Sequence, residues 1–379
     1  MSETVRPAFA DRERPLLSYG IPFPAAAAEH VTKTFGASRV YVICSGSLSR
    51  NTDALGRLTA ALGPEKVVGR RLGMQSHTLW SEVLQIVEEA RKAKADLLLT
   101  LGAGSLTDAA KIVALALGNH VQNASDLATL AEGPSKRPQI QPPTIPIISI
   151  PTSLSAGEYS NFAGGTEDRS HRKYSFQAPS RGPQLVILDP ELAETTPDSV
   201  WLSTGIRAVD HCVETLCATK GTSPESDKLA GHALMLSGGG GGHGCVFQRI
   251  GAIGSKSWYW PSGHGETSCI LLPAVCKYNA RHNANCERQA RVRDVLLSDP
   301  VVTEILQLHS SSSDTLDLGD ILDLVIRELG MPRSLTDVGV GRDKVDGLAE
   351  NSLHDRWCRT NPVPLTDKSQ VLEILDMVL

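Results

Sequence analysis

The sequence predicts an α/β domain built on a parallel sheet, followed by an all-α domain. Short β-branched runs alternate with stretches of helical periodicity through the first half of the chain, and after about Trp201 the helical pattern stands alone. The length of 379 residues agrees with two domains, because single hydrophobic cores stop growing at roughly 250–300 residues.

The elements follow in order. "RVYVICSG" (Arg39–Gly46) reads as a buried strand feeding the helical "NTDALGRLTAALG". "KVVGRRLG" (Lys66–Gly73) repeats the strand signal, "TLWSEVLQIVEEARKAKA" (Thr78–Ala95) is an amphipathic helix, and "DLLLTLGAGS" (Asp96–Ser105) is a third strand. "PTIPIISIPTS" (Pro143–Ser153) and "PQLVILDPEL" (Pro183–Leu192) add two more. Later segments such as "CERQARVRDVLL", "LGDILDLVIRELG" and "KSQVLEILDMVL" are helical, so the domains are set at 1–200 and 201–379. Two stretches break the second domain's pattern. "SGGGGGHG" (Ser237–Gly244) and the aromatic "GSKSWYWPSG" (Gly254–Gly263) read as irregular loops, since a glycine run is costly in any regular element.

Charge narrows the function. With 37 basic and 42 acidic residues the net charge is −5, no block of like charge occurs, and aromatics are few. Nucleic acid and anionic membrane surfaces are thereby excluded as evident partners, and a small-molecule substrate fits. Eight scattered cysteines without a CxxC pair read as reduced thiols. The polar start "MSETVRPAFADRERPLLSYG" lacks the apolar core of a signal peptide, and no apolar run approaches the ~18 residues of a membrane span. A soluble cytoplasmic protein is expected.

"LGAGSLTDAAK" (Leu101–Lys111) closes a predicted strand and opens a predicted helix. Glycines there let the backbone approach a phosphate, and the free N–H groups of the helix end favour an anion. Gly102, Ala103, Gly104 and Ser105 are the expected pyrophosphate cradle, with Asp108 and Lys111 one turn further in; Lys111 is placed to neutralise a phosphate or to sit solvated. Ser45 ends the first strand, where nucleotide folds often place an acid on the ribose hydroxyls; a serine leaves room for a 2′-phosphate or is simply a cap. Among the histidines, His211, His243 and His264 stand in helix or glycine context, and imidazoles from separate segments make reasonable ligands for zinc or ferrous iron. "GIRAVDHCVETL" (Gly205–Leu216) adds a contradiction. Arg207 and His211 lie four apart on one helix face, as a ligand pair would, but a guanidinium has no lone pair to offer.

Taken together, these motifs resemble the iron-containing alcohol dehydrogenase family, including its maleylacetate reductase branch, and the wording is closest to fungal members. "GAGSLTDAAK" is similar to the family's GGGSxxDxAK cofactor loop, and "IPTSLSAGEYS" (Ile150–Ser160) to its nicotinamide-side loop. "GIRAVDHCVE" and "GHGETSCILLPAVCKYN" (Gly263–Asn279) match the segments that carry metal ligands. The resemblance implies a dehydroquinate synthase-like fold, an N-terminal dinucleotide-binding domain and a helical domain with the active site in the cleft between them, often in a homodimer. It further implies hydride transfer between NAD(P)H and a carbonyl, alcohol or enoate. The nicotinamide would sit on Thr152, Ser153 and Lys173, and Arg207, His211 and His264 would stand at the chemistry.

Metal-dependent members hold Fe²⁺ or Zn²⁺ with an aspartate and three histidines, which here map to Arg207, His211, His243 and His264. A cation in place of the aspartate opposes a divalent ion, and Asp210, turned about 60° from Arg207 on the side away from His211, is expected to be a poor substitute. Maleylacetate reductase-like members also lack that aspartate and work without metal. Arg207 then either clamps a substrate carboxylate through its planar fork or is structural. Two further departures stand out. The family's second histidine, four residues after the one at His243, is Phe247 here, and the 32-residue span from His211 to His243 is about half the family's, so the helical domain reads as shortened near 237–244. The expected function is an NAD(P)H-dependent oxidoreductase, in a fungal secondary-metabolite or aromatic-degradation pathway. The alternatives are a degenerate nucleotide-binding member with little turnover and a zinc-dependent glycerol dehydrogenase or dehydroquinate synthase type of enzyme.

Overall fold

A computed structural model describes residues 2–75, 77–132, 139–238, 264–309, 315–353 and 356–379. The chain divides into two compact units, Met1–Pro197 and Asp198–Leu379.

The first unit is a seven-stranded sheet with helices on both faces. Its strands are β1 (Thr4–Phe9), β2 (Arg12–Tyr19), β3 (Val40–Cys44), β4 (Val67–Leu72), β5 (Leu97–Gly102), β6 (Ile147–Pro151) and β9 (Leu185–Leu188), in the order β1-β2-β9-β6-β5-β3-β4. β7 (Ala163–Thr166) and β8 (Lys173–Phe176) form a separate antiparallel ribbon. From β2 to β4 every pairing in the sheet is parallel; only β1 runs antiparallel, against β2.

The period of two along β3 explains why the central strands are apolar throughout. Tyr41 and Ile43 pack into one core with the Trp80–Lys92 and Gly104–Gly118 helices, whereas Val40, Val42 and Cys44 face the other with the Phe23–Glu29 and Ala54–Leu62 helices. A strand covered on both faces has no side to leave polar. The β1–β2 hairpin is a departure from expectation. Its segment "TVRPAF" is almost wholly exposed, so an edge strand that buries so little, with Arg6 and Pro7 in its middle, carried no apolar run to announce it. The β7–β8 ribbon was likewise not foreseen.

The second unit is helical throughout its described residues, as expected. The His264–Arg281 helix packs against the Asp198–Cys217 and Leu318–Glu328 helices around Cys212, Val213, Leu272, Cys276 and Ile321. Its C-terminal half meets the Arg342–Ser352 and Lys368–Asp376 helices around Tyr278, Val345 and Val371. Asp317 and Asp367 start two of these helices with reciprocal capping boxes, satisfying N–H groups that a helix end leaves open. Of the glycine run, Ser237 and Gly238 end the Pro224–Gly238 helix. Gly239–Gly244 and the aromatic stretch Gly254–Gly263 lie outside the described residues.

Candidate functional site

Within the first unit, the C-terminal ends of β3, β5 and β6 lie side by side, and the expected cofactor residues sit there. Ser45 follows β3 and donates its amide to the Leu101 carbonyl at 2.9 Å; Thr152 follows β6 and donates to the Gly102 carbonyl at 3.3 Å. Gly102 has φ 139°, and a Cβ there would stand 2.7 Å from the Ser45 Cβ and 2.8 Å from Leu106 Cδ1. Only glycine fits that position. Ala103 is the N-cap of the Gly104–Gly118 helix and brings no side-chain oxygen. The first N–H groups of a fifteen-residue helix thus lack a side-chain cap, which leaves donors and the positive helix end for an anion. A Cβ on Gly104 would stand 2.6 Å from Ser155 Oγ, and Ser153 Oγ donates to that same hydroxyl at 3.4 Å.

The next turn of this helix is tied to the segment after β6. Thr107 Oγ1 donates to Glu158 Oε1 at 2.8 Å, and the Gly164 amide donates to Asp108 Oδ2 at 3.2 Å. Lys111 is completely buried; its Nζ donates to Asp108 Oδ1 at 3.1 Å and to the Phe162 carbonyl at 2.6 Å. The ammonium expected to meet a phosphate is instead spent on these two oxygens. Lys173, half-buried on β8, lies across Gly164, where a Cβ would stand 2.6 Å from its Cε and 3.4 Å from its Nζ. Burial pushes the Glu158 carboxyl above the ordinary carboxylate range, against the pull of its hydrogen bonds and of Lys111.

Sequence reasoning missed Glu158, although it lies in a stretch already singled out, and it missed Thr78. Thr78 is β-branched with φ 54°, next to His77 with φ 71°, a strained pair of a kind that clusters at functional sites. Its Oγ1 donates to the Ser105 carbonyl at 3.2 Å, bracing the glycine loop. No local sequence signal marks such a residue.

In the second unit, Arg207, Asp210, His211 and Glu214 share the Asp198–Cys217 helix, and Ser268 reaches them from the His264–Arg281 helix. Gly265 lets the two helices pass closely, since a Cβ there would overlap the Ser203 carbonyl. Arg207 Nη1 donates to Asp210 Oδ2 at 2.8 Å and to Ser268 Oγ at 3.0 Å, and Ser268 Oγ donates to Asp210 Oδ2 at 2.6 Å. The side chains of Arg207 and Asp210 are only 12% and 7% exposed. Burial raises the Asp210 carboxyl, opposed by Arg207, His211 and Ser268. Burial, reinforced by Arg207, pushes the His211 imidazole down to about 4, so it is neutral at physiological pH. His264 opens its helix, but its side chain, like His243 and Phe247, lies outside the described residues.

Asp210, His211 and Glu214 offer one ligand atom each within 4.8 Å of one another, a group that could hold a metal ion. The expectation that Asp210 is turned away from His211 is therefore corrected: residues 100° apart on a helix can still bring their side-chain ends together. The set is nevertheless not the family's ligand set. Arg207, which the sequence resemblance sets in the aspartate's place, already donates to Asp210 Oδ2. Like charges ~4 Å apart repel by about 4 kcal/mol at an effective dielectric near 20, and a divalent ion doubles that. These residues do not fit the metal as the family holds it.

Comparison with known proteins gives a consistent result. Residues 23–190 match the family model of the iron-containing alcohol dehydrogenases, and residues 259–379 match that of the Fe-containing alcohol dehydrogenase family, C-terminal. The stretch between the two matches holds Arg207, His211 and the glycine run. Dehydrogenase FUM7 of Gibberella moniliformis is 35% identical over 422 residues, covering 96% of each chain. That alignment exceeds the 379 residues of this chain by 43, so the relative carries segments that face gaps here. Dehydrogenase ALT3 of Alternaria alternata is 33% identical over 90% of this chain and 99% of its own. Among solved structures, the archaeal halo-thermophilic Red Sea brine pool alcohol dehydrogenase superposes with a TM-score of 0.80 at 19% identity, covering 100% of this chain and 99% of that one. Maleylacetate reductase from Agrobacterium tumefaciens gives 0.63 at 21% identity, covering 100% and 97%. At those identities the two structures speak for the fold alone. No helix among the described residues is long and apolar enough to cross a membrane. On its two family matches and its 35% identity to a full-length relative, the chain belongs to the iron-containing alcohol dehydrogenase family of NAD(P)-dependent oxidoreductases.

Proposed function

We propose that this protein is a metal-independent NAD(P)H-dependent reductase of a small carbonyl or enoate that carries a carboxylate. The observation that carries the reading is the buried Arg207 guanidinium held by Asp210 and Ser268, which the sequence resemblance sets at the family's metal-ligand aspartate. A fixed, buried cation can grip a substrate carboxylate in bidentate fashion, and two hydrogen bonds on Nη1 orient the fork.

Gly102, Ala103, Gly104 and Ser105 would hold the pyrophosphate on the uncapped helix end, and Thr152, Ser153 and Lys173 would flank the nicotinamide. When bound, the dinucleotide would supply a hydride to the carbonyl carbon, or to the alkene carbon remote from the activating group, with a proton from solvent completing the alcohol or the saturated acid. His211, neutral at physiological pH, is a hydrogen-bond partner for the substrate rather than a second cation. Similarity to dehydrogenases of two fungi supports a place in fungal specialised metabolism, and the described cysteines, all free thiols, suit a reducing cytoplasm.

The test is the metal content of protein purified without chelator, read beside NADPH oxidation on carboxylated carbonyls and enoates with and without added Fe²⁺ or Zn²⁺. Turnover by metal-free protein supports the reading. Stoichiometric metal with metal-dependent turnover would overturn it in favour of a centre at Asp210, His211 and Glu214, and nucleotide binding without turnover would leave a degenerate, nucleotide-binding member.

A further inference from the structure

We propose that the cleft where β2, β6 and β9 enter the sheet binds a small carboxylic acid, its carboxylate on Arg14 and Arg181 and its apolar body against proline. These strands run parallel to β5, so their N-terminal ends lie opposite the glycine loop. The site is separate from the cofactor's and independent of the nucleotide reading.

The cleft measures about 460 Å³, within the range of small-molecule sites. Its walls are rigid for a local reason. Pro15 on β2, Pro143 and Pro146 before β6, and Pro183 before β9 line it; each fixes its own φ and offers no N–H. Gln184 stitches two of the walls together, its Oε1 accepting from the Ile147 amide at 2.8 Å and its Nε2 donating to the Gly182 carbonyl at 2.7 Å. The Gly182 amide donates to Asn161 Oδ1 at 2.8 Å, and a Cβ on Gly182 would stand 2.6 Å from the Ser160 carbonyl oxygen. The cleft is therefore preformed.

Its charge is unanswered. No acidic residue lines the cleft, and Arg181 enters no ion pair or hydrogen bond among the described residues. Arg14 makes one long hydrogen bond, from Nη1 to the Gln184 carbonyl at 3.4 Å, and its guanidinium lies 5.9 Å from the Phe35 ring. Its remaining donors stay open. The Thr144 hydroxyl and the Asn161 amide nitrogen, on the same lining, are also without partners among the described residues. The two arginines stand on neighbouring stretches of chain, since β2 pairs with β9 from Leu16 and Leu185 onward. Two cations side by side over four prolines favour a ligand that is anionic at one end and apolar at the other. An inorganic anion would leave the proline surface wet, and a neutral hydrophobe would leave the guanidiniums unpaired.

The experiment is a ligand-observed NMR titration of the full chain with benzoate, with benzamide as its uncharged isostere and inorganic phosphate as an anion without an apolar body. Both guanidiniums are solvent-exposed, so a Kd on the order of 1 mM is expected for benzoate, at least about fivefold tighter than for either control. Arg181→Gln should weaken benzoate about threefold to tenfold. Asn161→Asp keeps an acceptor for the Gly182 amide while adding a negative charge, and should weaken it as much. Because Arg181 and Asn161 belong to the first unit and Arg207 to the second, the change from wild type to variant reads the cleft alone. Benzoate no tighter than benzamide, phosphate as tight as benzoate, or an affinity indifferent to both substitutions would each overturn the site.

Discussion

Arg207 Nη1 stands 2.8 Å from Asp210 Oδ2, and Ser268, hydrogen-bonded to both, closes the triangle. An internal cation thus neutralises a buried carboxylate. Removing one partner of such a pair strands the other, at a typical cost of 3–5 kcal/mol. Arg207→Ala should lower stability by about that much, and Arg207→Ala combined with Asp210→Asn should recover a large part of it in denaturant unfolding. Additive losses would show that the two side chains do not act as a pair. In the same proteins, loss of Arg207 should raise KM for carboxylated substrates far more than for uncharged analogues.

Gly102 meets two constraints at once, a φ of 139° and side chains of Ser45 and Leu106 within 3 Å of any added Cβ. Gly102→Ala should therefore cost about 2–4 kcal/mol in stability, from backbone strain and overpacking together. It should also weaken nucleotide binding at least about tenfold, because the loop can no longer close on a phosphate. Thermal unfolding with and without NADPH checks both, and a variant still strongly stabilised by the nucleotide would argue against the loop as its seat.

Lys111, paired with Asp108 one turn back, ties the glycine-loop helix to the Phe162 carbonyl from a fully buried position. Lys111→Met should destabilise by about 2–4 kcal/mol and loosen cofactor binding through the displaced loop. Its salt dependence of binding should match that of the wild type. A shallower salt response would instead return Lys111 to the phosphate.

Glu158 gives a pH dependence of known sign. Burial raises its carboxyl above the ordinary value of about 4.5, so the native state holds a proton that the unfolded state releases. The stability it contributes is complete below about 4.5 and is lost as pH rises through the raised native value. Glu158→Gln keeps an oxygen to accept from Thr107 without the titration. Its unfolding midpoint relative to wild type should improve from pH 4 towards neutrality; a difference that stays flat or reverses would mean that Glu158 is ionised in the fold at no cost.

Much of this was written in local pattern. β3, β5 and β6 were legible because strands covered on both faces must be apolar on both. The glycine loop was legible because a strand, a glycine at φ 139° and a long helix follow one another directly in the chain. The β1–β2 hairpin was not, since an exposed edge strand buries too little to leave a pattern. Spacing also fixed which residues share a helix face, hence Arg207 beside His211. It did not fix what a long side chain would meet there.

The sequence by itself determined the central strands β3 to β6 and β9 with their helices, the two-part architecture and the family. The tertiary structure decided that Lys111 points inward, that the Arg207 guanidinium is held through Nη1 by Asp210, and that Asp210 converges with His211 and Glu214. The physical reason is that a buried charge goes where its acceptors are. For Lys111 and Arg207 part of that environment, the Phe162 carbonyl and the Ser268 hydroxyl, comes from 51 and 61 residues away in the chain, beyond the reach of any local period.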